Sequence, residues 1–215
     1  MNVNELKFLF KDQSDDTASG ELISNTSFMV YLNEAQRKAA RNANLLLESD
    51  DIDVLAEQTD YDIDTSIYAI NSALLNDGTN FFRLAIADRP ELDRIMPVDW
   101  RSQVEKPTYL IINKDSTITL ARTPDTDYTL TIEYYRYPVK LINGTDTPEI
   151  SNEHHEMLLE WCWFRAYDKK DADIFEPDRA QKHKRNFFNY FGYEPRANTR
   201  KSQYANRPHH NKAVL

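Results

Sequence analysis

Hydrophobic residues repeat with a helical period near both ends of this chain and alternate along its middle. From Ser27 to about Leu47, Phe28, Leu32, Ala35, Ala39, Ala43 and Leu46 recur at steps of three and four, the spacing that lines one face of an α-helix. Glu34, Arg37, Lys38 and Arg41 fall on the wet side, with Glu34 and Lys38 placed as an i,i+4 pair. Thr26 or Ser27 is expected to cap the first free N–H groups. Such a helix spans roughly 30 Å, and the alanines on its stripe let a second helix pack closely.

Residues 65–140 read as β-rich. Ser66–Leu75 and Phe81–Ala87 have strand composition, and Pro90 marks the start of a short helical turn. Three clearer strands follow. Pro107–Asn113 alternates, Thr117–Arg122 sets Ile118 and Leu120 against Thr117 and Thr119, and Tyr128–Arg136 sets Tyr128, Leu130, Ile132 and Tyr134 against polar neighbours. Period two over this length predicts half-buried antiparallel strands. Lys114-Asp115-Ser116 and Pro124-Asp125-Thr126-Asp127 have the length and residues of hairpin links.

Helical spacing then returns. Leu158, Trp161, Cys162 and Arg165 mark a helix from about Glu153 to Tyr167, and Ala180, Lys184, Phe187, Phe188 and Phe191 mark the inner face of another from Pro177. Gly192 and Pro195 stop it. The expected fold is α+β: a bundle of about three helices (25–49 and 141–192) with an antiparallel β-sheet insertion (50–140) between the first and second long helices. An extended N-terminal segment (1–24) and an extended C-terminal docking tail (193–215) flank it.

Composition narrows the chemistry. The 215 residues contain only four glycines, Gly20, Gly78, Gly144 and Gly192, too scattered for a Rossmann fingerprint or a P-loop. Gly78 follows Asn76-Asp77 and Gly144 follows Asn143, both turn sequences. The single Cys162 permits no intrachain disulfide. Met1–Lys11 alternates polar and apolar residues without a signal-type core, and no apolar run is long enough to span a membrane.

Charge is distributed unevenly. The formal net charge is −9, with −9 in residues 1–64, −3 in 65–150, −1 in 151–192 and +4 in 193–215. A basic tail on an acidic body is an interaction signature, and this one also carries Tyr193, Tyr204 and an apolar end, Ala213-Val214-Leu215. An acidic body is ill suited to gripping DNA, because neutralising phosphate supplies most of the affinity.

Catalytic and metal motifs fail on spacing. Asp50, Asp51, Asp53, Glu57, Asp60, Asp62 and Asp64 lack the Gly and ligand positions of an EF-hand, and read as a solvated connection or strand edge. Glu153-His154-His155-Glu156 is not a zincin motif, because adjacent histidines point about 100° apart on a helix, and it reads as a polar helix start. Cys162, between Trp161 and Trp163, reads as a buried packing thiol. No metal, cofactor or catalytic residue is assigned.

The order of these elements resembles the head-to-tail adaptor (connector) proteins of tailed bacteriophages, particularly short-tailed ones. The likeness spans roughly residues 26–192. It is carried by Tyr31-Leu32-Asn33-Glu34-Ala35-Gln36-Arg37, by Pro107-Thr108-Tyr109-Leu110-Ile111, and by Leu120-Ala121-Arg122-Thr123-Pro124-Asp125 before Tyr128-Thr129-Leu130. Tyr135-Arg136-Tyr137-Pro138, Pro148-Glu149-Ile150 and Ala166-Tyr167-Asp168 complete it. The turn at Arg122-Thr123-Pro124-Asp125 lacks the first proline of the P-x-P-D-like form.

The resemblance implies a non-enzymatic virion protein at the head–tail junction, made in the host cytoplasm. It implies a homo-oligomeric ring of twelve copies that binds the portal protein, extends the DNA channel without specific DNA binding, and receives the tail nozzle or tail tube. The charge and aromatic character of Arg196, Arg200, Lys201, Tyr204 and Arg207 mark them as the expected portal contacts. The alternatives are a tail-completion or tail-tube protein of the same virion, and a metal-dependent hydrolase built on His154 and His155.

Overall fold

A computed structural model of the chain describes residues 1–13, 23–96, 99–169 and 175–194. It is mixed α+β, with five α-helices and two four-stranded sheets among the described residues. The chain divides into two compact units. Met1–Leu47 and Tyr135–Glu194 form a helical unit, and Glu48–Tyr134 form a β unit.

The helical unit comprises α1 (Val3–Gln13), α2 (Asn25–Ala43), α4 (His155–Tyr167) and α5 (Pro177–Phe191). Nine of the thirteen residues of α4 are buried, on every side of the helix; an all-round apolar helix must lie at the centre of its neighbours. It packs against α1, α2 and α5. Phe10 of α1 lies against Phe28 of α2 and stacks on Trp163 of α4, with centroids 5.2 and 5.9 Å apart. Trp161 of α4 meets Phe187 of α5 at 5.2 Å.

Three details depart from the sequence reading. Residues 1–24, expected to be extended, include α1, whose Val3, Leu6 and Phe10 are buried at helical spacing. Its start is a reciprocal capping box: Asn2 Oδ1 accepts the Glu5 N–H and Glu5 Oε2 accepts the Asn2 N–H, both at 2.9 Å. Second, α2 is capped by Ser24, whose hydroxyl accepts the Ser27 N–H at 3.1 Å, rather than by Thr26 or Ser27. Third, α2 stops at Ala43 instead of Leu47, because Asn44 takes the left-handed conformation, φ 52°, that closes helices. Ala43 is therefore exposed, off the expected stripe.

In the β unit, β1 (Leu47–Val54), β8 (Tyr128–Arg136), β3 (Ile67–Asn76) and β4 (Phe81–Arg83) form one sheet in that order. β2 (Asp60–Asp62), β7 (Thr117–Ala121), β6 (Tyr109–Ile112) and β5 (Ala85–Ile86) form the other. β6 and β7 pair antiparallel with Leu110 opposite Leu120 and Ile112 opposite Ile118, whereas β5 joins β6 in parallel. Val54, Tyr61, Ile70, Leu75, Leu110, Ile118, Leu120, Leu130 and Ile132 share one core between the sheets.

The link at Pro124–Asp127 is not a hairpin, since β7 and β8 belong to different sheets. The second sheet is also buried on both faces. Helix α3 (Arg89–Ile95) brings Leu92, with Trp100, over Ile111 and Ala121. Thr119, expected to face water, is consequently buried and donates its hydroxyl to Asp60.

Candidate assembly surfaces

The most specific polar arrangement in the helical unit is a strap, residues 137–142, held on α2. Asn33 donates its carboxamide to the Leu141 carbonyl at 2.9 Å and accepts the Leu141 N–H at 2.8 Å. Gln36, buried on α2, donates to the Val139 carbonyl at 3.0 Å. The Arg37 guanidinium lies 4.3 Å from the centroid of the Tyr137 ring, a cation–π contact. Asn33 and, one turn on, the neighbours Gln36 and Arg37 thus each take one piece of the strap.

The strap is anchored at its other side by Glu149. Arg136 donates to both carboxylate oxygens, at 2.8 and 3.2 Å, and the Val139 N–H donates to Oε2 at 2.7 Å. These bonds from Arg136 and Val139 hold the Glu149 carboxyl below its ordinary range against the opposing effect of burial. Beyond the strap, Asp146 accepts the N–H groups of Ile142 and Asn143 at 2.7 and 2.8 Å. The first free N–H groups of α1 bond here too: Val3 to the Asp146 carbonyl and Asn4 to the Gly144 carbonyl, both at 2.9 Å. Gly144 is a close-approach glycine, since a Cβ there would overlap the Asn4 carboxamide. With the backbone groups of Val139 and Leu141 bonded to α2 and Glu149, the side chains of Val139 and Ile142 are still 65% and 72% exposed. The result is a rigidly backed ridge with two apolar side chains in water.

The departure point of the C-terminal tail is also fixed. Gly192 takes φ 77° and its N–H bonds back to the Phe188 carbonyl. Asn42 of α2 donates to the Gly192 carbonyl at 2.8 Å, and Arg41 pairs with Glu194. Tyr193 stacks parallel on Phe188, centroids 4.5 Å apart, yet remains 70% exposed. Arg196, Arg200, Lys201, Tyr204 and Arg207 lie outside the described residues.

The described histidines make hydrogen bonds and ring contacts within the helical unit. His155 is not part of a polar helix start, because it is fully buried. Its Nε2 bonds the Ile150 carbonyl at 2.8 Å and its Nδ1 faces the Met1 amine at 3.0 Å. Burial lowers its pKa below 6.5, and the Met1 ammonium lowers it further. A neutral ring donating from Nε2 and accepting on Nδ1 satisfies both contacts. His154 contacts the Tyr190 hydroxyl at 3.1 Å instead, and His183 pairs with Glu160 at 2.8 Å beside Trp163 and Tyr167. No cluster of three metal-ligating side chains occurs among the described residues. Cys162 is buried, as its setting predicts, and burial pushes its thiol pKa up.

Strap and anchor are built from segments that carried the family likeness: Tyr31–Arg37 supplies Asn33, Gln36 and Arg37, and Tyr135–Pro138 with Pro148–Ile150 supply Arg136 and Glu149. The class of the chain, a phage head-to-tail adaptor, is given by its family match. The chain matches the SU10 adaptor protein family over residues 1–210, and belongs to that family. None of the curated proteins compared with it matches. No helix among the described residues is long and apolar enough to cross a membrane.

Proposed function

We propose that this adaptor forms a homo-oligomeric ring of twelve copies between the portal vertex and the tail, extending the channel through which DNA passes. Its role is structural, at the head–tail junction of the virion. The family match over nearly the whole chain carries this reading. The division of charge supports the finer arrangement. An acidic body repels DNA and leaves it free to slide, whereas a tail of +4 is suited to an acidic or polar docking groove.

In this proposal residues 193–215 dock on the portal protein, through Arg196, Arg200, Lys201, Tyr204 and Arg207, and the opposite side of the ring receives the tail nozzle or tail tube. Asn42, Arg41 and Phe188 hold Gly192, Glu194 and Tyr193 at the tail's root. The ridge of Val139 and Ile142 is a second contact surface, apolar and rigid at low ordering cost. Deletion of 193–215 is expected to abolish portal attachment and leave both units folded. Normal attachment by the truncated chain would contradict the assignment.

A further inference from the structure

Two charged stripes of this chain lack a counter-charge among the described residues. The first is on β1, the end strand of its sheet. Asp50, Asp51 and Asp53 are exposed, and no ion pair among the described residues reaches them. Asp51 accepts the Thr131 hydroxyl at 2.6 Å, and Asp50 accepts the Asp51 N–H at 2.9 Å; neither bond supplies a cation. The second stripe is on α5. Arg179 pairs with Glu176 and lies over Tyr167, and Lys184 lies over Phe164. Lys182 and Arg185 are exposed and have no carboxylate partner among the described residues.

The two stripes match in spacing as well as sign. Asp51 and Asp53 are alternate residues of a strand, on one face and about 7 Å apart. Lys182 and Arg185 are i,i+3 on a helix, with Cβ atoms about 5–6 Å apart and long flexible stems. Asp178 stands four residues before Lys182, in the first turn of α5 where the helix dipole favours it, and no ion pair joins the two. An open strand edge lined with aspartates also discourages unselective strand pairing, so a partner must bring cations.

We infer that the aspartate edge of β1 in one copy docks on the Lys182–Arg185 stripe of α5 in the next. DNA could satisfy the helix but would be repelled by the strand, whereas a second copy of this chain satisfies both at once. Because the stripes differ, the contact is heterologous, the head-to-tail kind that closes rings. The inference rests on the ring proposed above and names its electrostatic contact.

The test uses the full-length chain and sedimentation velocity in about 50 mM salt, where screening is weak. One variant carries Lys182→Glu and Arg185→Glu; the other carries Asp51→Lys and Asp53→Lys. Circular dichroism and a thermal melt check folding, and the neutral changes Lys182→Gln/Arg185→Gln and Asp51→Asn/Asp53→Asn replace any variant that fails to fold. Each reversed variant alone should associate at least about tenfold more weakly than the natural chain. An equimolar mixture of the two reversed variants should recover association, since every contact then pairs opposite charges; the neutral pair should each show the weakening. Where the natural chain is monomeric alone, the same comparison is made with purified portal added, and a natural chain that still forms no ring there overturns the ring reading itself. A natural chain that assembles, with variants that assemble equally well or reversed variants that fail to rescue each other, overturns this pairing alone. Loss of DNA binding with unchanged self-association would assign the α5 stripe to nucleic acid and also overturn it.

Discussion

Asn33 and Leu141 bind each other twice, 108 residues apart in sequence, through one side chain that donates to the Leu141 carbonyl and accepts its N–H. The carboxamide acts as one residue of a missing strand and holds the strap where no sheet partner exists. Asn33→Ala leaves both backbone groups of a buried residue without a partner. The expected loss is about 2 kcal/mol, read from urea denaturation, with faster amide exchange at Leu141. Unchanged exchange there would show that the strap is held by other contacts.

Glu149 joins Arg136 to the strap, and its exposure limits its value. Glu149→Gln keeps the shape and removes the charge, so a loss of about 1 kcal/mol is expected. The folded-state pKa of Glu149 lies below its ordinary 4.5. Its contribution is therefore fully present above that value and is lost as pH falls through the lowered one. Acid titrations of the natural chain and the variant should converge once the pH has fallen below the lowered folded value.

His155 makes stability pH-sensitive in a higher window. Its pKa is about 6.5 in the unfolded chain and lower in the fold. Protons are thus taken up on unfolding, and stability present above 6.5 declines as pH falls through the lowered folded value. Urea midpoints between pH 7.5 and 5 should fall, and His155→Gln should flatten that slope while lowering stability at pH 7.5. An equal slope in the variant would assign the pH dependence to other groups.

Cys162 is buried among tryptophans with its thiol pKa raised. A thiolate-selective reagent should leave it unmodified in the native chain and label it at the rate of unfolding. Fast labelling under native conditions would mean that the helical unit opens around α4.

Much of the architecture was legible in periodicity. The stripe of α5 and the alternation of β8 follow from burial of one face, whereas α4 is buried all round and β6 and β7 on both faces; Gly78 and Gly192 take the positive φ their positions imply. What periodicity missed was set by groups that do not repeat. Helix α1 was signalled by the spacing of Asn2 and Glu5 and by the short stripe Val3, Leu6 and Phe10, which reads equally as alternation over so few residues. The cover of α3 over β6 and β7 is a tertiary choice, and it buried Thr119 despite its polarity. Glu34 and Lys38 were spaced to pair with each other, yet Glu34 meets Arg165 and Lys38 lies over Trp161, because α4 packs beside that face. The residues of the strap lay inside the segments that carried the family likeness. Their roles were not readable, since a carboxamide's partner 108 residues away leaves no local pattern.

The central claim is that this chain is a ring-forming connector seated on the portal. Electron microscopy of the full-length chain mixed with purified portal tests it most directly. The account predicts a closed ring of added density on one end of the portal, twelve copies around an open channel, absent when residues 193–215 are removed. Portal particles without added density, or density that closes the channel, would contradict it.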